Sequence, residues 1–237
     1  MECIDVSLGY LARPTQGRHP GVVMVHDVWG LSEHTRDMAR RLADEGYRVL
    51  AVDLYRREGA VRIEDPGAWM RALPDPRVLG DLQAAVDFLA AEQGGNGRVG
   101  ITGFCMGGMY VLMAACQCRG LAAAAPFYGL LSHRHGLLHD PKGLDPERKP
   151  REPLSMAHEL RCPLLAFFGE QDEFIPVEEV RELERGLARS GQPCEVVVYP
   201  GAGHAFMNDT RPAAFRPQIA RDAWARLLRF FEAQLRA

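Results

Sequence analysis

The amino-acid sequence predicts an α/β protein: a mostly parallel β-sheet flanked by helices on both faces. Three observations support this prediction. Apolar segments of strand length alternate with helical patterns along the chain, as in consecutive βαβ units. The length of 237 residues suits one large α/β domain, and we therefore expect a single domain over 1–237. Hydrophobic residues make up 47% and charged residues 25%, which is typical of soluble globular proteins.

Six segments have the length and apolar character of buried strands: 22–25, 47–52, 98–102, 121–127, 163–168 and 195–199. Segments with apolar residues at helical spacing lie between them. Ser32 is a suitable N-cap for the first helix, and Asp75 followed by Pro76 is a suitable start for the second.

The later helices differ in their apolar pattern. Segment 107–116 is apolar nearly all round, as expected of a helix buried against a sheet. Two amphipathic helices are predicted around 180–187 and 219–235. Segment 129–158 is polar and longer than an ordinary connection, and we predict a lid-like insertion there.

Charge and targeting signals restrict the partners. The 28 Lys and Arg against 31 Asp and Glu give a formal net charge of −3, so no general field attracts nucleic acid. Glu2 and Asp5 stand where a secretory signal would carry Lys or Arg. The most apolar stretch, 121–131, is shorter than the roughly 18 residues of a membrane span. We expect a soluble, cytoplasmic protein without a membrane partner.

Metal and redox motifs are not found in the sequence. The six cysteines include no CxxC pair, and neither HExxH nor GxxxxGK[ST] occurs. His133, His135, His139 and Asp140 have metal-ligand side chains, but they lie in the polar segment, where a solvated loop is the simpler interpretation. No metal or cofactor is expected, and the cysteines are expected to be reduced.

The segment Gly103-Phe104-Cys105-Met106-Gly107 follows a predicted strand and opens a predicted helix. This is the strand-turn-helix context of a nucleophile elbow, in which flanking glycines make room for a strained turn. The helix N-terminus beyond the turn favours a thiolate over a thiol. Cys105 is therefore the predicted nucleophile, against the alternative of a buried, inert cysteine.

An activated nucleophile needs a base, and the base needs an orienting acid. Asp172 and His204 each follow a later predicted strand, so parallel strands would bring them to the same edge as Cys105. The order nucleophile, acid, histidine is that of α/β-hydrolases. Glu170 and Glu173 are rival acids in the same loop.

The chain resembles the dienelactone hydrolase family of α/β-hydrolases over nearly its whole length. The matching segments are His26-Asp27-Val28-Trp29-Gly30, Asp53-Leu54-Tyr55, Gly103 to Gly108, Gly169 to Asp172 with Ile175-Pro176, and Gly203-His204-Ala205-Phe206. The resemblance implies a hydrolase of small esters or lactones that forms a thioester, with Cys105 attacking, His204 transferring protons and Asp172 orienting the imidazole.

The resemblance also implies further roles. The backbone N–H groups of Val28 and Met106 would form the oxyanion hole, and Asp27 stands where the family has a glutamate that exchanges a proton with the cysteine. The family's substrate-binding arginine after the histidine is replaced by Asn208 and Asp209, the first arginine being Arg211.

Trp29, Phe104, Met106 and Phe206 are expected to line the substrate pocket. An alternative from another class is a non-hydrolytic small-molecule binder or a thiol-based redox sensor on the same fold. Such a protein would need neither Asp172 nor His204. The pair therefore favours a hydrolase.

Overall fold

The computed structural model describes residues 1–59 and 61–236. Its sheet has eight strands: β1 (Glu2–Val6), β2 (Gly9–Arg13), β3 (His19–Val25), β4 (Arg48–Val52), β5 (Gly95–Phe104), β6 (Leu121–Phe127), β7 (Leu164–Gly169) and β8 (Cys194–Tyr199). Their order is β1-β2-β4-β3-β5-β6-β7-β8. Strands β3 to β8 pair in parallel, and β1 and β2 add an antiparallel edge. The predicted fold class is confirmed.

Over the described residues, seven α-helices accompany the sheet: α1 (Glu33–Asp44), α2 (Pro66–Ala72), α3 (Asp75–Ala91), α4 (Met106–Gln117), α5 (Pro153–Met156), α6 (Val177–Leu187) and α7 (Pro217–Leu235). The side chain of Ser32 caps α1 by accepting a hydrogen bond from the N–H of Thr35. Helix α4 is buried from Met106 to Cys116, as its all-round apolar sequence predicts.

The chain reverses direction across the sheet at β3. From β3 the chain passes through α1 to β4, which lies on one side of β3 in the sheet. From β4 it passes through α3 to β5, which lies on the opposite side of β3. Because such crossovers are right-handed, α1 and α3 cover opposite faces. The carboxyl ends of β3 and β5 are neighbours at this reversal, which is where α/β proteins bind their ligands.

Four elements have no counterpart among the predicted ones: strands β1 and β2 and helices α2 and α5. Strand β1 is mostly exposed because it is an edge strand, so no apolar run marks it. Helix α2 has only seven residues and begins at Pro66. Strand β5 also extends beyond the predicted 98–102 in both directions.

Segment 129–158 contains the short helix α5 and is held by a buried ion pair. Nζ of Lys149 lies 2.5 Å from Oδ1 of Asp75 at the start of α3, and both side chains are almost completely buried. The hydroxyl of Tyr110 donates to the same carboxylate oxygen at 2.8 Å. The prediction that this segment acts as a lid stays a prediction. None of the described helices is both long and apolar enough to cross a membrane.

Candidate active site

Cys105 lies in a sharp turn between β5 and α4. Its backbone has φ 57° and ψ −118°, a conformation that is strained for any residue except glycine. The turn packs closely against β3, since a Cβ atom at Gly107 would lie 2.2 Å from the carbonyl oxygen of Val25. A Cβ at Gly103 would also clash there, at 2.8 Å. The predicted elbow therefore requires glycine on both sides of the cysteine.

Asp172 and His204 extend from the loops after β7 and β8. Oδ2 of Asp172 lies 2.8 Å from Nδ1 of His204, and the aspartate side chain is completely buried. Its other oxygen accepts a hydrogen bond from the N–H of Phe174 at 2.9 Å, which fixes the carboxylate. Of the rival acids, Glu170 accepts instead from the N–H of Gly201 and is exposed, as is Glu173.

The imidazole of His204 is enclosed by aromatic rings. Tyr128 and Phe174 contact it edge-on, with centroids at 5.1 and 5.0 Å. Nε2 is buried and has no hydrogen-bond partner among residues 1–59 and 61–236. Burial lowers the pKa of His204, but the negative charge of Cys105 and the hydrogen bond to Asp172 outweigh this and raise the pKa to about 10. The arrangement therefore favours the imidazolium form of His204.

Cys105 and His204 line a narrow cavity of about 30 Å³ at the carboxyl edge of the sheet. Asp27, Trp29 and Phe104 line it too. A volume of this size holds no more than a few water molecules. Trp29, at the wall of this cavity, is 45% exposed.

Phe206 and Met106 do not line this cavity. The residue before Phe206, Ala205, has φ 61°, and the Phe206 ring points inward. It packs 5.0 Å from the ring of Tyr128 and is completely buried. The Met106 side chain is likewise buried, beneath the elbow. Aromatic residues near a site are often packing residues, which sequence cannot distinguish from lining ones.

Other residues that line the cavity were not among the predicted site residues: His34, Thr35, Tyr128, Ala205, Asn208 and Arg211. His34 and Thr35 belong to the first turn of α1. The predicted N-cap of this helix, directly after the early loop, was the sequence signal that could have identified them. The guanidinium of Arg211 lies 5.4 Å from the centroid of the Trp29 ring. The chain thus brings a cation to the cavity although position 208 carries asparagine.

The loop after β3 is held by its own side chains. The N–H of Trp29 donates to Oδ1 of Asp27 at 2.9 Å. The hydroxyl of Tyr55 donates to the carbonyl oxygen of Val28, also at 2.9 Å. Within the described part of the chain, the backbone N–H groups of Val28 and Met106 donate to no backbone or side-chain acceptor. These two donors are available to a ligand.

Metal-ligand side chains are not grouped in the regions that the structure describes: no three of His, Cys, Asp or Glu are arranged to hold an ion. This includes the ligand-type side chains around His133, which the sequence assigned to a solvated loop. Nδ1 of His139 lies 3.4 Å from the carbonyl oxygen of His133, whereas Nε2 of His135 lies 3.9 Å from Oε1 of Glu179.

Comparisons with known proteins point to one family. A sequence profile of the dienelactone hydrolase family matches residues 8–235. A protein of Escherichia coli, provisionally named carboxymethylenebutenolidase, is 36% identical over 235 residues, which cover 94% of this chain and 81% of the relative. A Bradyrhizobium protein, provisionally named 2-oxo-3-(5-oxofuran-2-ylidene)propanoate lactonase, is 31% identical over 94% of this chain and 90% of its own.

A solved structure has a similar fold over most of its length. The crystal structure of a protein of Klebsiella pneumoniae, provisionally named a dienelactone hydrolase, superposes with a TM-score of 0.82 at 35% identity and covers 94% of this chain and 91% of that one. Profile, relatives and structure therefore agree that this chain belongs to the dienelactone hydrolase family and is a hydrolase of the α/β-hydrolase fold.

Proposed function

We propose that the protein hydrolyses small carboxylic esters or lactones by covalent catalysis, with Cys105 as nucleophile, His204 as acid and base, and Asp172 as the acid that orients the imidazole. One observation carries the proposal. Nδ1 of His204 is bound to a buried carboxylate, while its buried Nε2 has no partner in the described chain and the ring faces the cavity that Cys105 lines.

In the first half-reaction, Sγ of Cys105 attacks the carbonyl carbon and a C–S bond forms. The carbonyl π electrons move to oxygen, and the N–H groups of Val28 and Met106 bind the oxyanion. When the oxyanion collapses, the C–O bond to the leaving group breaks. His204 donates the Nε2 proton to the departing alkoxide, which in a lactone stays attached to the acyl chain.

The second half-reaction hydrolyses the thioester. Water attacks the carbonyl carbon, and Nε2 of His204 accepts its proton. The second oxyanion collapses with breakage of the C–S bond, so the sulfur leaves as a thiolate. The raised pKa of His204 favours the imidazolium that results, and the free sulfur is ready for another turnover. No cofactor enters either step.

Other cavity residues have subsidiary roles in the proposal. One oxygen of Asp27 accepts a hydrogen bond from the N–H of Trp29, and Asp27 lines the same cavity as Cys105, so it would take the proton of Cys105 whenever that residue is a thiol. Trp29 and Phe104 form the apolar wall of the pocket, and Arg211 is the cation available to an acidic substrate.

The test compares hydrolysis of a dienelactone and of a short-chain p-nitrophenyl ester by wild type, Cys105→Ala and the control Cys116→Ala. Cys116 is buried in α4 and does not line the cavity. We expect the Cys105 variant alone to lose turnover. Turnover of the lactone would show that the protein catalyses the reaction after which the family is named. Turnover of the ester alone would indicate a broader carboxylesterase. Turnover by Cys105→Ala at the wild-type rate would contradict the proposal, and turnover of neither would favour a binder or redox sensor.

A further inference from the structure

The peptide unit between Val28 and Trp29 is hydrogen-bonded at both of its polar atoms. Its carbonyl oxygen accepts from the Tyr55 hydroxyl at 2.9 Å, and its N–H donates to Oδ1 of Asp27 at 2.9 Å. A peptide that is bound on both sides cannot rotate without breaking one of these bonds. The N–H of Val28 belongs to the preceding peptide unit, whose carbonyl oxygen, that of Asp27, accepts from the N–H of Gly30 at 3.2 Å, so the peptides on both sides of Val28 are held.

The Tyr55 hydroxyl also reaches the second residue of the proposed oxyanion hole. Its oxygen lies 3.4 Å from Sδ of Met106, a sulfur–oxygen contact that belongs to the first residue of α4. One side-chain atom therefore touches both Val28 and Met106. These residues come from loops that follow different strands, β3 and β5, and the contact ties the two loops together.

The ring of Tyr55 is itself firmly packed. It is 4% exposed and meets the rings of His26 at 4.8 Å and Trp69 at 5.4 Å, both nearly edge-on. Its N–H donates to Oδ1 of Asp53, which fixes the start of the loop after β4. Burial raises the pKa of Tyr55 above its ordinary value, so the hydroxyl stays protonated and can donate at neutral pH.

We propose that Tyr55 is a positioning residue that holds the Val28 and Met106 donors in the orientation needed to bind the oxyanion. This inference rests on the proposed function, because it assigns Tyr55 a role in that same reaction. Tyr55 does not line the cavity and touches no reacting atom. It acts through the backbone, and its loss should weaken transition-state binding more than substrate binding.

The experiment replaces Tyr55 with phenylalanine, which removes only the hydroxyl. The matched control is Tyr199→Phe, since that hydroxyl also makes a hydrogen bond, at 2.7 Å to Asp222, but lies away from the cavity. Two rates are measured in each variant: hydrolysis of a p-nitrophenyl ester, and alkylation of Cys105 by iodoacetamide. Hydrolysis passes through an oxyanion, whereas alkylation does not.

We expect Tyr55→Phe to lower kcat by roughly 10- to 100-fold, part of the loss seen when an oxyanion donor is removed. We expect KM and the alkylation rate to stay within about twofold of wild type, because neither depends on oxyanion binding. Unchanged hydrolysis, or alkylation that falls together with hydrolysis, would overturn the role of Tyr55 alone. A wild-type protein whose Cys105 is alkylated but which hydrolyses no ester would overturn the proposed function and this inference together.

Discussion

At the scale of single residues, the site depends on how His204 is held. Its Nδ1 is bound by a buried carboxylate, and two aromatic rings pack against it, so the imidazole has one available orientation. The strained backbone of Cys105 is the other fixed point. Strain at one residue costs about 1–3 kcal/mol, which the surrounding packing must offset. The site is thus preorganised before any substrate binds.

Replacing Asp172 with asparagine should lower kcat/KM for ester hydrolysis by about 10⁴-fold, because the imidazole loses the charge that orients and stabilises its protonated form. Far-UV circular dichroism should show an unchanged fold. The matched control is Glu170→Gln in the same loop, whose side chain accepts from the N–H of Gly201. A near-normal rate for Asp172→Asn would move the acid's role to Glu170 or Glu173.

The raised pKa of His204 predicts a pH dependence. The ordinary value is 6.5, and the neighbouring charges raise it to about 10, so the imidazolium persists across neutral pH and is lost as the pH rises through about 10. An alkoxide leaving group needs that proton. We therefore expect kcat/KM for an alkyl ester to fall above pH about 10. A decline that begins near pH 6.5 would contradict the assignment.

Arg211 should contribute to the binding of acidic substrates, because it is the exposed cation at the cavity rim. For an ester that carries a carboxylate, we expect Arg211→Gln to raise KM by roughly tenfold, equivalent to about 1.4 kcal/mol. The neutral methyl ester of the same acid should show no change. Arg221→Gln, on α7, is the control. Equal effects on the charged and neutral substrates would indicate that Arg211 acts through packing on Trp29.

At the scale of secondary-structure elements, the buried pair Lys149–Asp75 fastens the long segment 129–158 to α3 and α4. Burial raises the pKa of Asp75 and lowers that of Lys149, so desolvation opposes both charges while their contact favours them. Such a pair contributes little net stability. Removing one partner, however, leaves the other charge buried and uncompensated.

Lys149→Met should therefore lower the free energy of unfolding by about 3–5 kcal/mol in urea titrations. Lys142→Met, an exposed change in the same segment, should stay within about 0.5 kcal/mol of wild type. Adding Asp75→Asn to Lys149→Met should recover part of the loss, since the amide still accepts from Tyr110. A Lys149→Met protein as stable as wild type would show that the pair does not anchor the segment.

At the scale of the whole molecule, the architecture could be predicted because parallel strands leave a clear apolar signal. Their carboxyl ends share one edge, so residues after β5, β7 and β8 were expected to meet there. Edge strand β1 escaped prediction because it buries little. His34 and Arg211 escaped because their approach to the cavity depends on the direction of α1 and on the loop after His204. Phe206 was misassigned because the sequence does not distinguish a ring buried against Tyr128 from one that lines the cavity.

The central claim is that Cys105 carries the acyl group between the two half-reactions. It is tested most directly by mass spectrometry of His204→Ala protein after incubation with p-nitrophenyl acetate, since loss of the base slows hydrolysis of the thioester. We predict one acetyl group per chain, mapped to Cys105, and none when Cys105→Ala is added. An acetyl group on another residue, or the same modification on the protein without Cys105, would contradict the account.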